Sequence, residues 1–306
     1  MKRLLFNPYF VLLIGVVSLS TSAILVKVAN APSGVTAFYR LFFSIIIMFP
    51  LFWTKYRWEV KAASKKDWLL TSFAGVFLAF HFIFWFQSLN YTSVASSTIL
   101  VTLQPLFAFV GAYFFFKERV TIKTIVSGLV AIGGSVIISW GDLKVSGLAL
   151  WGDFLALVAC ALATAYFLFG QEARKKMTLI TYTFLVYGIS TVVLLIYVLL
   201  MNEPLTGYVA EDWWAFILLA IIPTLFGHSL MNWSIKYIKA TTVSMAILLE
   251  PIGAAILAYY LLGEKIILTQ IWGGLIVIGG IVLFLIESKR NREPSGASAG
   301  KEFPSE

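Results

Sequence analysis

Long apolar runs separated by brief polar punctuation dominate this chain. They cover about 8–29, 33–53, 68–90, 93–116, 121–140, 147–170, 178–201, 211–235, 240–262 and 267–287. Most approach the roughly 20 residues that a helix needs to cross a hydrocarbon layer, so the pattern predicts ten transmembrane helices. The connections leave no room for a soluble domain. Turn residues punctuate several of them, as in Asn30-Ala31-Pro32-Ser33-Gly34.

The pattern repeats. Shifted by 146 positions, residues 68–137 lie over 214–283 without a gap, with 18 identities in 70 positions. Trp68 falls on Trp214, Tyr91 on Tyr237, Gln104-Pro105 on Glu250-Pro251, Glu118 on Glu264, and Gly133-Gly134 on Gly279-Gly280. Apolar sequences share residues by composition, but not Trp, Pro, Glu and paired Gly in one register. The chain is an internal duplication: a first repeat over 1–145, a second over 146–287, and a charged tail over 288–306 that lacks periodicity and reads as disordered.

Composition agrees. With 306 residues, 60% hydrophobic and 12% charged, and a mean hydropathy of +0.89, the chain has too little polar surface for a soluble globule. The fold class expected is an all-α polytopic membrane protein, and its surroundings are the lipid bilayer. The net charge of +8 does not call for nucleic acid, because the basic residues fall in short clusters between apolar runs. Cys160, the single cysteine, permits no internal disulfide and reads as packing.

Those clusters fix an orientation. With the N-terminus in the cytoplasm, 19 of the 23 Lys and Arg residues lie on the cytoplasmic side, and only Lys144 and Lys265 lie outside. Lys27 and Arg40 fall inside helices. Both termini are then cytoplasmic, in a multi-pass protein of the cell membrane. Five helices per repeat, an odd number, force the two copies to insert in opposite directions, a construction of secondary transporters with a site at the repeat interface. Lys2-Arg3, the following apolar stretch and Ala29-Asn30-Ala31 resemble a cleavable signal; the polar run Ser18, Ser20, Thr21 and Ser22 and the five-helix count favour a retained first helix.

Glu250 is the costliest residue to place. A charged side chain in hydrocarbon costs roughly 2.5–3.5 kcal/mol on insertion scales, so it needs a partner, a proton or a water-filled cavity. It reads as a proton-coupling carboxylate or a ligand for a substrate ammonium; the plain alternative is a structural ion pair. Its stretch, 246–264, reads as one helix with a small-residue face at Ala246, Glu250, Ala254 and Ala258. Gln104 holds the equivalent position in the first copy, so the two halves cannot contribute equal charges. Arg40 can grip a carboxylate bidentately, or pair with Glu250 or free carbonyls. Lys27 either adds a second positive charge or snorkels to the interface.

Other polar and aromatic residues join these candidates. His81 and Trp85 lie one turn apart, as do His228 and Asn232, with Trp233 beside them. Imidazoles near neutral pH relay protons or simply pack with hydrogen bonds. Trp85, Tyr113, Tyr166 and Trp233 stack on a substrate or belong to interfacial belts. Ser18, Ser20, Thr21 and Ser22 offer cavity hydroxyls or helix-to-helix bonds. Two fixed positive charges and one titratable negative charge would suit a zwitterionic or anionic solute.

Several chemistries are absent. No phosphate-binding Gly-x-x-x-x-Gly-Lys-Ser/Thr loop occurs, no His-Glu-x-x-His, no metal-ligand spacing and no Ser-His-Asp context. The chain reads as a non-enzyme with no cofactor and no metal.

The duplicated Gln104-Pro105 and Glu250-Pro251, with Glu118-Arg119, Gly128, Gly133-Gly134, Gly263-Glu264, Gly274 and Gly279-Gly280, the Tyr91-Thr92-Ser93 turn, Lys27 and Arg40, resemble the EamA family of the drug/metabolite transporter superfamily from about residue 8 to 287. The resemblance implies a ten-helix carrier of two repeats, often an exporter of amino acids or other small metabolites. Helices one to four and six to nine would line a central cavity, with five and ten peripheral. The expectation is efflux of an amino acid or similar zwitterion, with proton coupling open. A lipid-handling enzyme or a membrane scaffold is the alternative from another class.

Overall fold

A computed structural model describes residues 6–92, 94–117, 121–138, 147–262 and 268–290. Lys2, Arg3, Ser93, Glu118, Arg119, Lys144, Gly263, Glu264, Lys265, the boundary at 145/146 and tail residues 291–306 lie outside the described residues.

Among the described residues there are ten helical spans and no strand. They are α1 (Pro8–Leu19 and Ser22–Val28), α2 (Ser33–Leu51, Phe52–Tyr56 and Arg57–Ala62), α3 (Lys65–Tyr91), α4 (Val94–Thr102 and Gln104–Phe116) and α5 (Ile122–Ile138). The second set is α6 (Gly147–Ala173), α7 (Leu179–Leu200), α8 (Ala210–Leu219, Ala220–His228 and Ser229–Ser234), α9 (Ala240–Ile247 and Glu250–Leu262) and α10 (Leu268–Arg290). Nine are long and apolar enough to cross a bilayer, and α5 is a shorter apolar helix. Their number and place match the expected spans, while several are interrupted inside.

Their packing has the symmetry of two inverted five-helix repeats. α1 packs on α8 as α3 packs on α6, and α3 lies against α7 as α8 lies against α2. α4 packs on α6 as, less extensively, α9 packs on α1, and the contacts of α2 with α7, α4 with α9 and α5 with α10 join each helix to its own counterpart. An exchange of the two halves reproduces the whole set.

α5 and α10 form the peripheral pair. Their duplicated glycines are used reciprocally: a Cβ on Gly134 would stand 2.6 Å from Val277 N, and one on Gly280 would stand 2.6 Å from Ala131 N. Backbone meets backbone at both places, and only glycine allows it. Gly133 and Gly279 face open space instead.

α2 and α7 hold the halves together at both faces through exchanged carboxylates. Glu203, after α7, accepts from Val35 N at the start of α2 (3.2 Å). Glu59, at the end of α2, accepts from the Thr178 hydroxyl (2.8 Å) and amide (3.3 Å) at the start of α7. Each acid meets exposed N–H groups at the positive end of a helix, where a carboxylate is favoured.

Three interruptions correct the expected continuous helices. α1 breaks at Ser20 and Thr21, where Ser18, Ser20 and Thr21 hydroxyls bond back to Ile14 O, Val16 O and Ser18 O, a habit that bends helices. α4 breaks at Leu103 and α9 at Leu248 and Leu249, each just before the duplicated proline pair, which withholds an amide donor from the turn before it. The breaks tighten into three-residue bonds, Leu106 N to Leu103 O (3.1 Å) and Leu249 N to Ala246 O (3.0 Å). Glu250 therefore opens a second half-helix instead of sitting inside one, and the small-residue face from Ala246 to Ala258 is divided.

α2 also runs past its expected end near 53 to Ala62, through a π-helical turn at Phe52–Tyr56. In α8, Pro223 sits inside a π-helical segment, Ala220–His228. π-turns of this kind often accompany functional positions.

Candidate functional site

Two broken helices cross at the middle of the molecule. The first half of α9 packs on the second half of α4, and the second half of α9 on the first half of α4, so the breaks lie at one level. Glu250 is ten residues from the start of α9, about 15 Å along a helix, and Arg40 is seven residues into α2, about 11 Å from the opposite face. Both are buried, at 3% and 0% exposure.

Arg40 and Glu250 form no ion pair; among the described residues the ion pairs are Lys66–Glu172 and Lys175–Glu172. The Arg40 guanidinium donates instead through Nε to Thr224 Oγ1 (2.7 Å) and through Nη1 to Ser22 Oγ (2.9 Å), and lies over the Phe82 ring at 4.3 Å. Its Nη2 has no partner. A buried, unpaired ion carries a penalty of several kcal/mol. Two hydrogen bonds from a charged donor, about 1.5–3 kcal/mol each, and one cation–π contact, about 2 kcal/mol, offset it while leaving a donor to spare.

Around Phe82 the aromatic and imidazole residues close into one cluster. His228 lies 5.5 Å from Phe82, 6.4 Å from His81 and 5.9 Å from Tyr166 between ring centroids, and His81 stacks on Trp85 at 5.9 Å. His81 Nδ1 is 2.9 Å from Ala159 O, which assigns the proton to that nitrogen. Asn232 donates to His228 O (2.7 Å) and to the Tyr166 hydroxyl. Tyr187 reaches Ser229 Oγ (3.0 Å).

Arg40, His81, Trp85, Tyr166, His228 and Asn232 are thus drawn together from α2, α3, α6 and α8. Gln104 is buried at the start of the second half of α4, its Oε1 unpartnered. α9 meets α1 beside this cluster: a Cβ on Gly253, one turn beyond Glu250, would strike the Ser20 hydroxyl, two residues before the Ser22 that holds Arg40. Lys27 is exposed in the last turn of α1, away from this group. Trp233 is half-buried against Tyr237 at the far end of α8, with centroids 4.7 Å apart. Tyr113 is exposed.

Several contributors were not evident. Thr224 follows Pro223, and a polar residue beside a proline in an apolar run is a usable signal. Phe82 and Tyr187 carry none in a chain so rich in aromatic residues. Arg174, counted with the loop cations, is buried at 2% exposure and caps α8 through Nε to Asn232 O (3.0 Å); burial brings its guanidinium down to about 10.

The geometry defines a polytopic, inverted-repeat membrane protein with a buried polar site between its halves. The EamA-like transporter family matches twice, over residues 7–140 and 150–286, and the chain belongs to that family. An uncharacterized transporter of Archaeoglobus fulgidus is 24% identical over 272 residues, covering 89% of this chain and 94% of its own. The uncharacterized transporter YxxF of Bacillus subtilis is 23% identical, covering 84% of this chain and 82% of its own. A crystal structure at 14% identity superposes with a TM-score of 0.75 over 94% of this chain and 99% of that chain, which speaks to the fold alone.

Proposed function

We propose that this protein is a secondary transporter that exports a zwitterionic small metabolite, an amino acid or close relative, from the cell. It sits in the plasma membrane with both termini cytoplasmic. The halves rock about the central site and expose it to each side in turn. Glu250 takes up and releases the coupled proton.

One observation carries the substrate reading. The buried polar atoms without a partner include donors, Arg40 Nη2, Trp85 Nε1 and His228 Nδ1 in its protonated tautomer, and acceptors, Gln104 Oε1 and Asn232 Oδ1. The Glu250 carboxylate likewise has no hydrogen-bond or ion-pair partner among the described residues. Unpaired buried polar groups cost about 1–3 kcal/mol each, so such a concentration suits a ligand that brings its own carboxylate and ammonium. Arg40 would take the carboxylate by its free edge, and Glu250 with Gln104 the ammonium.

Flux of radiolabelled amino acids into liposomes containing only the purified protein tests this. The expected result is saturable, pH-gradient-dependent flux that Glu250→Gln uncouples. No flux for any amino acid would count against the substrate class, and gradient-independent flux against the coupling.

A further inference from the structure

α2 does not stop where its apolar run does, and the extension has an unusual balance of charge. Lys55, Arg57, Lys61 and Lys65 are exposed, and none has an ion-pair partner among the described residues. Both nearby acids are engaged elsewhere: Glu59 holds the start of α7, and Asp67 is bound to the Ser64 hydroxyl (2.6 Å) in the capping box of α3. No residue of Arg57–Ala62 is buried. The end of α2 therefore carries three cations without an ion-pair partner among the described residues, Lys55, Arg57 and Lys61, and Lys65 opens α3 beside them.

Aromatic rings lie among them. Trp53 and Trp58 are 51% and 63% exposed. The Arg57 guanidinium lies over the Trp53 ring at 5.2 Å, and Lys61 follows one turn beyond Arg57 on the same face. Trp58 Nε1 donates to Lys55 O (2.9 Å), which fixes its ring. Along one face the order is indole, guanidinium, ammonium, leading out of the bilayer, while Glu59 turns to the opposite face and the protein.

We propose that this end of α2 binds the headgroup of an anionic phospholipid in the adjacent leaflet. Indole rings settle at the boundary of acyl chain and headgroup, a guanidinium matches a phosphate bidentately, and a second cation one turn further out adds attraction to an anionic surface. A soluble anion would use the cations and leave the exposed indoles idle; a lipid uses both. Because Glu59 on the same helix holds the start of α7, a bound lipid steadies the contact between the two repeats.

The test is a titration of the full-length protein, in a nonionic detergent, with short-chain phosphatidylglycerol, followed by tryptophan fluorescence and the thermal unfolding midpoint. Saturable binding that raises the midpoint is expected, with no response to phosphatidylcholine or inorganic phosphate. Arg57→Gln with Lys61→Gln should weaken the apparent affinity roughly 30-fold, about a factor of five per cation, and leave the lipid-free midpoint unchanged. Arg57→Lys should fall between, since it keeps charge and loses the fork. Lys123→Gln with Lys236→Gln, the same charge removed elsewhere, should leave binding as it was. Equal loss in both double variants, a response to phosphate that matches the lipid, or unaltered binding in the first pair would overturn the proposal. Binding is read without transport, so its failure leaves the transport reading untouched.

Discussion

Arg40 and Thr224 are 184 residues apart and belong to opposite repeats, yet Arg40 Nε donates to Thr224 Oγ1 at 2.7 Å. That bond joins α2 to the π-helical segment of α8 at the depth where a charge is hardest to keep. Thr224 Oγ1 also donates to Leu219 O (2.8 Å), so the hydroxyl is fixed before it meets the guanidinium.

Thr224→Val should leave Arg40 Nε without an acceptor, a cost of about 1–3 kcal/mol, and reduce transport by roughly 5–150-fold. Thr224→Ser keeps the hydroxyl and should stay close to the parent. Arg40→Lys keeps the charge but not the fork that reaches Thr224 and Ser22 together, and should behave like Thr224→Val. Initial rates in proteoliposomes, with unfolding midpoints beside them, check all three.

Glu250→Gln should keep exchange of internal for external substrate, at a weakened apparent affinity because the amide still accepts from the ammonium but no longer pairs with its charge, while losing acceleration by a pH gradient. The amide keeps the shape and cannot take up a proton. Measuring exchange and net flux on the same vesicles separates the two roles. Loss of exchange would make Glu250 a substrate ligand alone.

The number of spans, the duplication and the inversion were legible because each depends on features that one sequence displays: run length, register and parity. The inner breaks were not. A proline withholds a donor from the turn before it, but the breaks fall at Leu103, and at Leu248 and Leu249, apolar residues no different from their neighbours. The site was half legible. Arg40, His228 and Asn232 stand out as polar groups in apolar surroundings, whereas Phe82 matters only because Arg40 and His228 both lie on it. Lys27 resembled a site residue by charge, yet its place in the last turn of α1 lets it reach water.

The glycine pairs of α5 and α10 should respond unequally. Gly134→Ala and Gly280→Ala each push a methyl into backbone at 2.6 Å, overpacking that costs about 1–3 kcal/mol. Gly133→Ala meets nothing within 4 Å and should be neutral or slightly stabilising. Unfolding midpoints of the three variants in one detergent check this.

Glu203 should give stability a pH dependence. Burial raises its carboxyl, partly offset by the amides of Val35 and Gly34. An acid that holds its proton more tightly folded than unfolded stabilises the fold below its unfolded value, about 4.3, and that contribution fades as pH rises through the higher folded value. Glu203→Gln should therefore match the parent at low pH and gain on it towards neutrality. Midpoints across a pH series check the sign, and a variant that falls behind the parent as pH rises would reverse it.

Alternating exposure of the Arg40 site is the central claim, and cysteine labelling at Ser22 tests it most directly. In a Cys160→Ser background, Ser22→Cys places a thiol beside the Arg40 guanidinium, and membrane-impermeant thiol reagents are applied to each side of sealed vesicles. The expected result is labelling from both sides, slowed by transported substrate. Labelling from neither side, or only by lipid-soluble reagents, would contradict a solvated site shared by the two halves.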